Sequence, residues 1–248
     1  MGITDWIKNL GSNTLYYPGC LTKGVLKEEF ENYKKIFNTL RIDFIMLPNE
    51  EVCCGIPVLN GGYKKDFRKL AQKNFDLFKK YKVKKIITNC PSCYHTFKKI
   101  YPEILRNWNI EVEHASVTIY NSIKNKKEKF NNLEKEKVSY HDPCHLGRYS
   151  EIYEEPRKVI EILGGEIIEI KKNRKDALCC GGGGGVRANF PQLAKDIAKK
   201  RIANIENKVT KIISPCGLCY LNIKSASEKS EEFSDFVLRK LKEQKNEE

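Results

Sequence analysis

No long hydrophobic run appears in this sequence. The longest apolar stretch, Ile42–Leu47, is broken by Asp43. A membrane helix needs roughly 20 consecutive apolar residues, so no membrane span is expected. Met1–Leu10 has no basic start, no hydrophobic stretch and no small-residue cleavage site, which argues against a signal peptide. Trp6 stands where a myristoylation signal needs Ser or Thr. The expected address is the cytoplasm. Nucleotide motifs are missing as well. The run Gly181–Gly185 puts Val186 where a dinucleotide fingerprint needs its third glycine, and the lysine and Ser/Thr of a phosphate loop are absent. Basic residues outnumber acidic ones, 45 to 32, for a net charge of +13. They are not interleaved with stacking aromatics in any recognised motif, so no nucleic-acid partner is expected. The excess reads as a solvated lysine surface, or as a funnel for a small anionic substrate or an acidic partner.

Cysteine is what the chain has in abundance. Ten cysteines in a reducing compartment point to metal binding or redox chemistry rather than to disulfides. They are arranged as a repeat. Lys85–Tyr94 reads KIITNCPSCY and Lys211–Tyr220 reads KIISPCGLCY, six of ten positions identical at an offset of 126. The same offset carries Cys53–Cys54–Gly55 onto Cys179–Cys180–Gly181, and Cys20 falls on Cys144 at an offset of 124. Each half therefore reads C, 32 or 34 residues, CC, 35 residues, C-x-x-C, and all ten cysteines are used. Packing alone does not place every cysteine of a chain inside a repeat, although free cysteine packs well.

Between the halves, Asn121–Lys137 is polar and lysine-rich and reads as a helix end plus a linker. The expected organisation is an N-terminal segment over 1–13, a first repeat over 14–128 and a second over 129–248. Strand and helix alternate. Strands are expected at Leu15–Tyr17, Asp43–Leu47, Lys85–Thr88, Val138–Tyr140, Glu166–Ile170 and Lys211–Ser214. Helices are expected at Gly24–Leu40, Tyr63–Tyr81, Pro156–Leu163 and Ala188–Asn204. In Tyr63–Tyr81 the residues Phe67, Leu70, Ala71, Phe75 and Phe78 mark one buried face. The alternation argues for an α/β fold of two pseudo-symmetric Rossmann-like halves with mainly parallel sheets. The cysteines then sit at strand C-terminal ends, the edge where open α/β sheets bind ligands. Five thiols should gather at one rim in each half, with the two rims facing each other.

Five thiols suit the known sulfur sites unequally. A structural zinc takes four ligands, so one would be left over in each half. A zinc joining Cys90, Cys93, Cys216 and Cys219 across the halves leaves six cysteines without a role. A thioredoxin-like dithiol suits Cys90-Pro-Ser-Cys93 but has no use for Cys53–Cys54. Iron–sulfur clusters are held by thiolates, usually four. The ferredoxin spacing C-x-x-C-x-x-C is absent. Vicinal cysteines reach adjacent irons, a following glycine lets backbone come close, and a helix N-terminus favours anionic sulfur. The residues thus point to an iron–sulfur site with one ligand more than usual, present twice.

From Tyr16 to Ile223 the pattern resembles the CCG (Cys-Cys-Gly) domain pair of heterodisulfide reductase catalytic subunits. It is also similar to the iron–sulfur subunits of glycolate and lactate oxidases and of anaerobic glycerol-3-phosphate dehydrogenase. Tyr140–Arg148, YHDPCHLGR, and Leu178–Gly184, LCCGGGG, look most like the C-terminal half of the heterodisulfide reductase D subunit. The resemblance implies two 4Fe–4S clusters of noncubane type that split a disulfide. One would be held by Cys20, Cys53, Cys54, Cys90 and Cys93, the other by Cys144, Cys179, Cys180, Cys216 and Cys219. The D subunit usually carries a ferredoxin-like N-terminal domain, and here only 19 residues precede Cys20. A ferredoxin-type iron–sulfur partner, like the heterodisulfide reductase C subunit, would then deliver electrons, as it does for the stand-alone B subunit. The other reading implied by the resemblance is an electron-transfer subunit serving a flavoprotein dehydrogenase.

Candidate catalytic residues are His141 and His145, which flank Cys144, and His95, which follows Cys93 by two. A histidine there would protonate a leaving thiolate or tune a cluster, or serve as an ordinary hydrogen-bonded side chain. Arg148 and Arg187 are candidates for an anionic substrate group or for surface ion pairs. Ile3, Trp6, Ile7 and Leu10 form an apolar stripe at helical spacing, suited to docking on the chain's own body or on a partner.

Overall fold

The two central strands explain the architecture. Ile86 and Ile87 in one, and Ile212 and Ile213 in the other, are almost fully buried, as strands covered by helices on both faces require. In the computed structural model, which describes residues 13–47 and 50–247, they nucleate two separate parallel sheets. The first contains β1 (Thr14–Tyr16), β2 (Lys85–Thr88) and β3 (Glu111–His114), in the order β1-β2-β3. The second contains β4 (Glu136–Tyr140), β5 (Gly165–Ile167), β6 (Lys211–Ser214) and β7 (Ser230–Glu232), in the order β5-β4-β6-β7. All neighbours are parallel, with Ile86 opposite Leu15 and Val112, and Ile213 opposite Tyr140 and Glu231. The fold is α/β in two similar halves, as the alternation of the sequence implies. The apolar stripe of Ile3, Trp6, Ile7 and Leu10 lies outside the described residues.

The segment expected as a strand at Asp43–Leu47 contributes a single bridge. The Tyr16 N–H donates to the Ile45 carbonyl at 2.9 Å and the Ile45 N–H to the Thr14 carbonyl at 2.8 Å. Pairing stops there because the Ile42 N–H is already bound to the Phe37 carbonyl, at 2.8 Å, in the end of the preceding helix. With Ile45 counted, both sheets have the same strand order. The helix expected over Gly24–Leu40 divides into Cys20–Gly24 and Lys27–Thr39. That over Ala188–Asn204 divides into Val186–Asn189 and Pro191–Ile202. Pro191 has no N–H and restricts the residue before it, and Phe190 takes a non-helical conformation, φ −136°.

The halves exchange helices. The helix after β1, Lys27–Thr39, packs on the last helix of the second half, Phe233–Glu247. The helix after β4, Glu154–Ile162, packs on the last helix of the first half, Ala115–Ile123. One apolar core accordingly joins Tyr16, Tyr33, Phe37 and Ile119 to Tyr140, Val159, Phe233 and Phe236. Phe130 and Leu133, in the linker region, are buried against it. Polar bonds cross the same seam. Asn32 Nδ2 donates to Asp235 Oδ1 at 2.7 Å and the Tyr33 hydroxyl to Glu232 Oε1 at 3.0 Å.

Glu232 is fully buried, and its second oxygen accepts the Ser234 N–H at 2.6 Å. Burial pushes its carboxyl up to about 8 despite these donors. In the unfolded chain the group ionises near 4.5, its ordinary value. Between those values the folded state keeps a proton that the unfolded state releases, so this contribution is full at low pH and is lost as pH rises through about 8. The urea midpoint should fall between about pH 4.5 and about pH 8 and level off above, and Glu232→Gln should flatten that fall. An equal slope in the variant would assign the effect to other groups.

Candidate metal centre

Each set of five cysteines comes together. In the first half the sulfurs form one chain of contacts, Cys20 to Cys53, Cys53 to Cys54, Cys54 to Cys93 and Cys93 to Cys90. In the second half the order is Cys144, Cys179, Cys180, Cys219 and Cys216. Cys54 Sγ and Cys93 Sγ lie 3.4 Å apart, and Cys180 Sγ and Cys219 Sγ 3.2 Å apart. Each C-x-x-C pair thus joins the vicinal pair of its own half, so a zinc site made from Cys90, Cys93, Cys216 and Cys219 is not built. Both sets are graded in depth. Cys54, Cys93, Cys180 and Cys219 are buried, while Cys20 and Cys179 are exposed. One side of each set is therefore open to solvent.

Local sequence explains the convergence. Cys90 and Cys216 directly precede the helices Pro91–His95 and Gly217–Lys224, close after β2 and β6. The Cys93 N–H donates to Cys90 Sγ at 3.4 Å. At the vicinal pairs the chain turns through Gly55 and Gly181, at φ +89° and +87°. A Cβ there would stand 2.7 Å from the Phe67 ring or 2.9 Å from Ile197, so only glycine fits. The N–H of each glycine donates to the first sulfur of its pair, Cys53 or Cys179, at 3.4 Å. Buried amides fix the backbone from behind. Asn74 Nδ2 donates to the Cys53 carbonyl at 3.0 Å, and Asn222 Nδ2 to the Cys180 carbonyl at 2.6 Å.

Five sulfurs in contact cannot all ionise. The bonds from Cys20, Cys54 and the Gly55 N–H hold Cys53 well below the ordinary thiol range, and Cys179 is depressed by the equivalent groups. Their neighbours move the other way. The bond to Cys53 pushes Cys20 up and the bond to Cys179 pushes Cys144 up, each reinforced by burial. A bound metal deprotonates a coordinating thiol outright. The donor set, sulfur-only and larger than one zinc can use, fits an iron–sulfur cluster.

The segments that carry the two sets meet through reciprocal contacts. The Cys20–Gly24 helix of the first half lies against Gly217, next to Cys216, where a Cβ would meet the Leu26 side chain at 2.4 Å. The loop after Cys144 lies on the first half in turn. The His145 and His95 ring centroids are 5.9 Å apart, and both rings touch Tyr149, at 5.0 and 5.6 Å. His145 Nδ1 is 3.4 Å from Cys144 Sγ. Burial lowers both histidines from the ordinary imidazole value, which favours the neutral ring. His141 is fully buried beside the second set, a ring nitrogen within 4.8 Å of the Cys180 and Cys219 sulfurs.

The arginines behave differently from one another. Arg148 is a strap, its Nη1 donating to the Ala177 carbonyl at 2.5 Å just ahead of Cys179. Arg187 lines a cleft of about 310 Å³ with Gln192, Lys195 and Asn222. That cleft belongs wholly to the second half. Two further arginines escape any reading of spacing. Arg157 grips Asp142 with both terminal nitrogens at 2.7 and 2.9 Å, and so fixes the strand exit two residues before Cys144. Arg201 donates to His141 Nδ1 at 3.1 Å. Its signal in the sequence is a charge on the apolar face marked by Ala194, Ala198 and Ile202.

Comparison with known proteins agrees with this geometry. The family described as CCG, cysteine-rich domain, matches residues 14–98 and again residues 138–224. The D subunit of dihydromethanophenazine:CoB–CoM heterodisulfide reductase from Methanosarcina mazei is 34% identical over 212 residues, 83% of this chain and 51% of that protein. The B subunit of fumarate reductase (CoM/CoB) from Methanothermobacter marburgensis is 31% identical over 223 residues, 90% of this chain and 44% of that one. The EtfAB:quinone oxidoreductase of Syntrophomonas wolfei is 35% identical over 173 residues, 69% of this chain and 24% of that one. The chain spans about half the length, or less, of these curated relatives. It belongs to the CCG cysteine-rich domain family, carries two copies of that domain, and has relatives named as oxidoreductases and oxidoreductase subunits.

Proposed function

We propose that this chain is the disulfide-cleaving iron–sulfur subunit of an oxidoreductase, with one noncubane 4Fe–4S cluster held by each five-cysteine set. The observation that carries the reading is the convergence of two sulfur-only sets, whose flanking residues His95 and His145 meet across the halves. When bound, the clusters would supply the two electrons that a disulfide takes up. With those electrons and two protons, one S–S bond breaks and two S–H bonds form. The chain's own residues would do the rest. Cys20 and Cys179, exposed, lie on the open side of each set, so a disulfide approaches there. His145 and His95, neutral and half-buried, each carry one ring proton and stand where the halves meet. They are placed to pass protons from solvent to the departing sulfurs. The basic balance of the chain suits a disulfide with anionic ends.

No helix among the described residues is long and apolar enough to cross a membrane. A ferredoxin-type iron–sulfur partner, like the C subunit of heterodisulfide reductase, would bring electrons to this chain through a protein contact. A second reading is favoured by the likeness to the EtfAB:quinone oxidoreductase. Here the same sites would only relay electrons from a flavoprotein, with no disulfide at all.

Anaerobic reconstitution should give about eight irons per chain, four per cluster, and a matching amount of acid-labile sulfide. Replacing Cys53 and Cys54 together with Ser should remove roughly half of the iron. Zinc as the dominant metal would end the iron–sulfur reading. The two oxidoreductase readings separate at Gly183, where a Cβ would meet nothing within 4 Å. Gly183→Phe should leave iron near the wild-type level while blocking viologen-driven cleavage of an anionic disulfide. Undiminished cleavage of a verified substrate would move the reaction away from the glycine run and favour the relay.

A further inference from the structure

The two sites share a backbone plan but not an electrostatic one. His141 and Tyr17 occupy equivalent places, each directly after the strand tyrosine and three residues before the first cysteine. The buried face Phe67, Ala71, Asn74 and Phe75 recurs at the same spacing as Ala194, Ala198, Arg201 and Ile202. Arg201 therefore stands where the first half has Asn74. In the first half both side chains are neutral and their donors are satisfied. The Tyr17 hydroxyl donates to the Val52 carbonyl at 2.5 Å, and Asn74 donates to the Cys53 carbonyl and to the Tyr101 hydroxyl, both at 3.0 Å.

In the second half the pair is cationic and incomplete. Arg201 is 3% exposed. It donates to His141 Nδ1 at 3.1 Å and to the Lys172 carbonyl at 2.6 Å. Among the described residues no carboxylate lies within ion-pairing distance of it. Asp142 and Glu169, the nearby acids, are already bonded to Arg157. Because Nδ1 accepts from Arg201, the neutral His141 ring carries its proton on Nε2. That Nε2 and Arg201 Nη2 are both buried without a hydrogen-bond partner. A buried charge and buried donors need compensation, and the sulfur set they lie beside, through Cys180 and Cys219, would supply negative charge once it held a cluster.

We propose that the Arg201–His141 pair makes the second site the stronger electron acceptor of the two. This rests on the reading that both sites hold iron–sulfur clusters. Adding an electron makes a site more negative, and a buried cation and an N–H donor stabilise that state, which raises the potential. In the same two places the first site has Tyr17 and Asn74, which carry no charge. An electron given to the first site is passed to the second, the first being oxidised by one electron as the second is reduced. Arg201 is a positioning and tuning residue, not a catalytic one.

The test is a mediator titration of the anaerobically reconstituted full chain, followed by electron paramagnetic resonance. Wild type should show two reductive steps. Arg201→Gln should weaken the upper step about tenfold, about 59 mV for one electron, with the lower step unmoved and iron content unchanged. Arg201→Lys should restore most of the difference. His141→Phe, which removes the donor and keeps the charge, should also lower the upper step, and serves if Arg201→Gln fails to load iron. A shift of the lower step, or of neither, overturns the assignment while leaving the cluster reading intact. A wild-type chain that takes up no iron overturns both.

Discussion

Mutual repulsion among clustered sulfurs is the constraint on which this structure depends. Five thiols brought into contact cannot all lose their protons without a cation among them, and they do not pack like hydrocarbon when they keep them. The fold answers this locally in each half. The inner sulfurs, Cys54, Cys93, Cys180 and Cys219, sit in the core. The peptide N–H groups of Gly55, Gly181 and Gly182 point at sulfur. Asn74 and Asn222 hold the vicinal backbone from behind. Each device needs backbone held to within a few tenths of an ångström, which parallel strands ending side by side provide.

A duplicated sheet does not suffice without the exchange between its copies. In each half the helix after the first strand turns its most extensive packing face to the other half. That face is covered by the other half's last helix, with Tyr33 bonded to Glu232 across the seam. The same geometry places the Cys20–Gly24 helix against Gly217 and the Cys144 loop against His95. Joining the cores and joining the sites are therefore one event. A substitution in the seam acts on stability and on the spacing of the sulfur sets together.

The positions of the sulfurs were readable because cysteine spacing and strand pattern are both local. The motif KII occurs twice, is strongly apolar and leads straight to a cysteine, so β2 and β6 could be placed to the residue. The edge strands Glu111–His114 and Ser230–Glu232 were not legible. Their sequences, EVEH and SEE, carry charge and are very short, as edge strands often are. Nor were the partners of Arg157 and Arg201. A buried arginine follows from what surrounds it, and Asp142 and His141 come from the exit of a strand that precedes these helices in the chain. The role of Arg148 was hidden for the same reason, since its partner is a loop carbonyl 29 residues away.

What duplication preserved and what it let drift are distinct. Strand order and the Cys-Cys-Gly turn are backbone requirements, and a change in either copy would scatter the sulfurs. Charge next to the sulfurs is not a backbone requirement. The first copy surrounds Tyr17 with Phe78 and Phe97, a dry aromatic shell. The second fills the equivalent place with His141, Arg201, Asp142 and Arg157, a polar network joined by hydrogen bonds. Two identical sites would share electrons evenly. If both hold clusters as proposed, an aromatic shell on one side and a cationic one on the other would separate them without moving a single ligand, because potential responds to charge and hydrogen bonds at distances where geometry does not change. A frame copied for its geometry would thus acquire direction through the residues that the geometry leaves free.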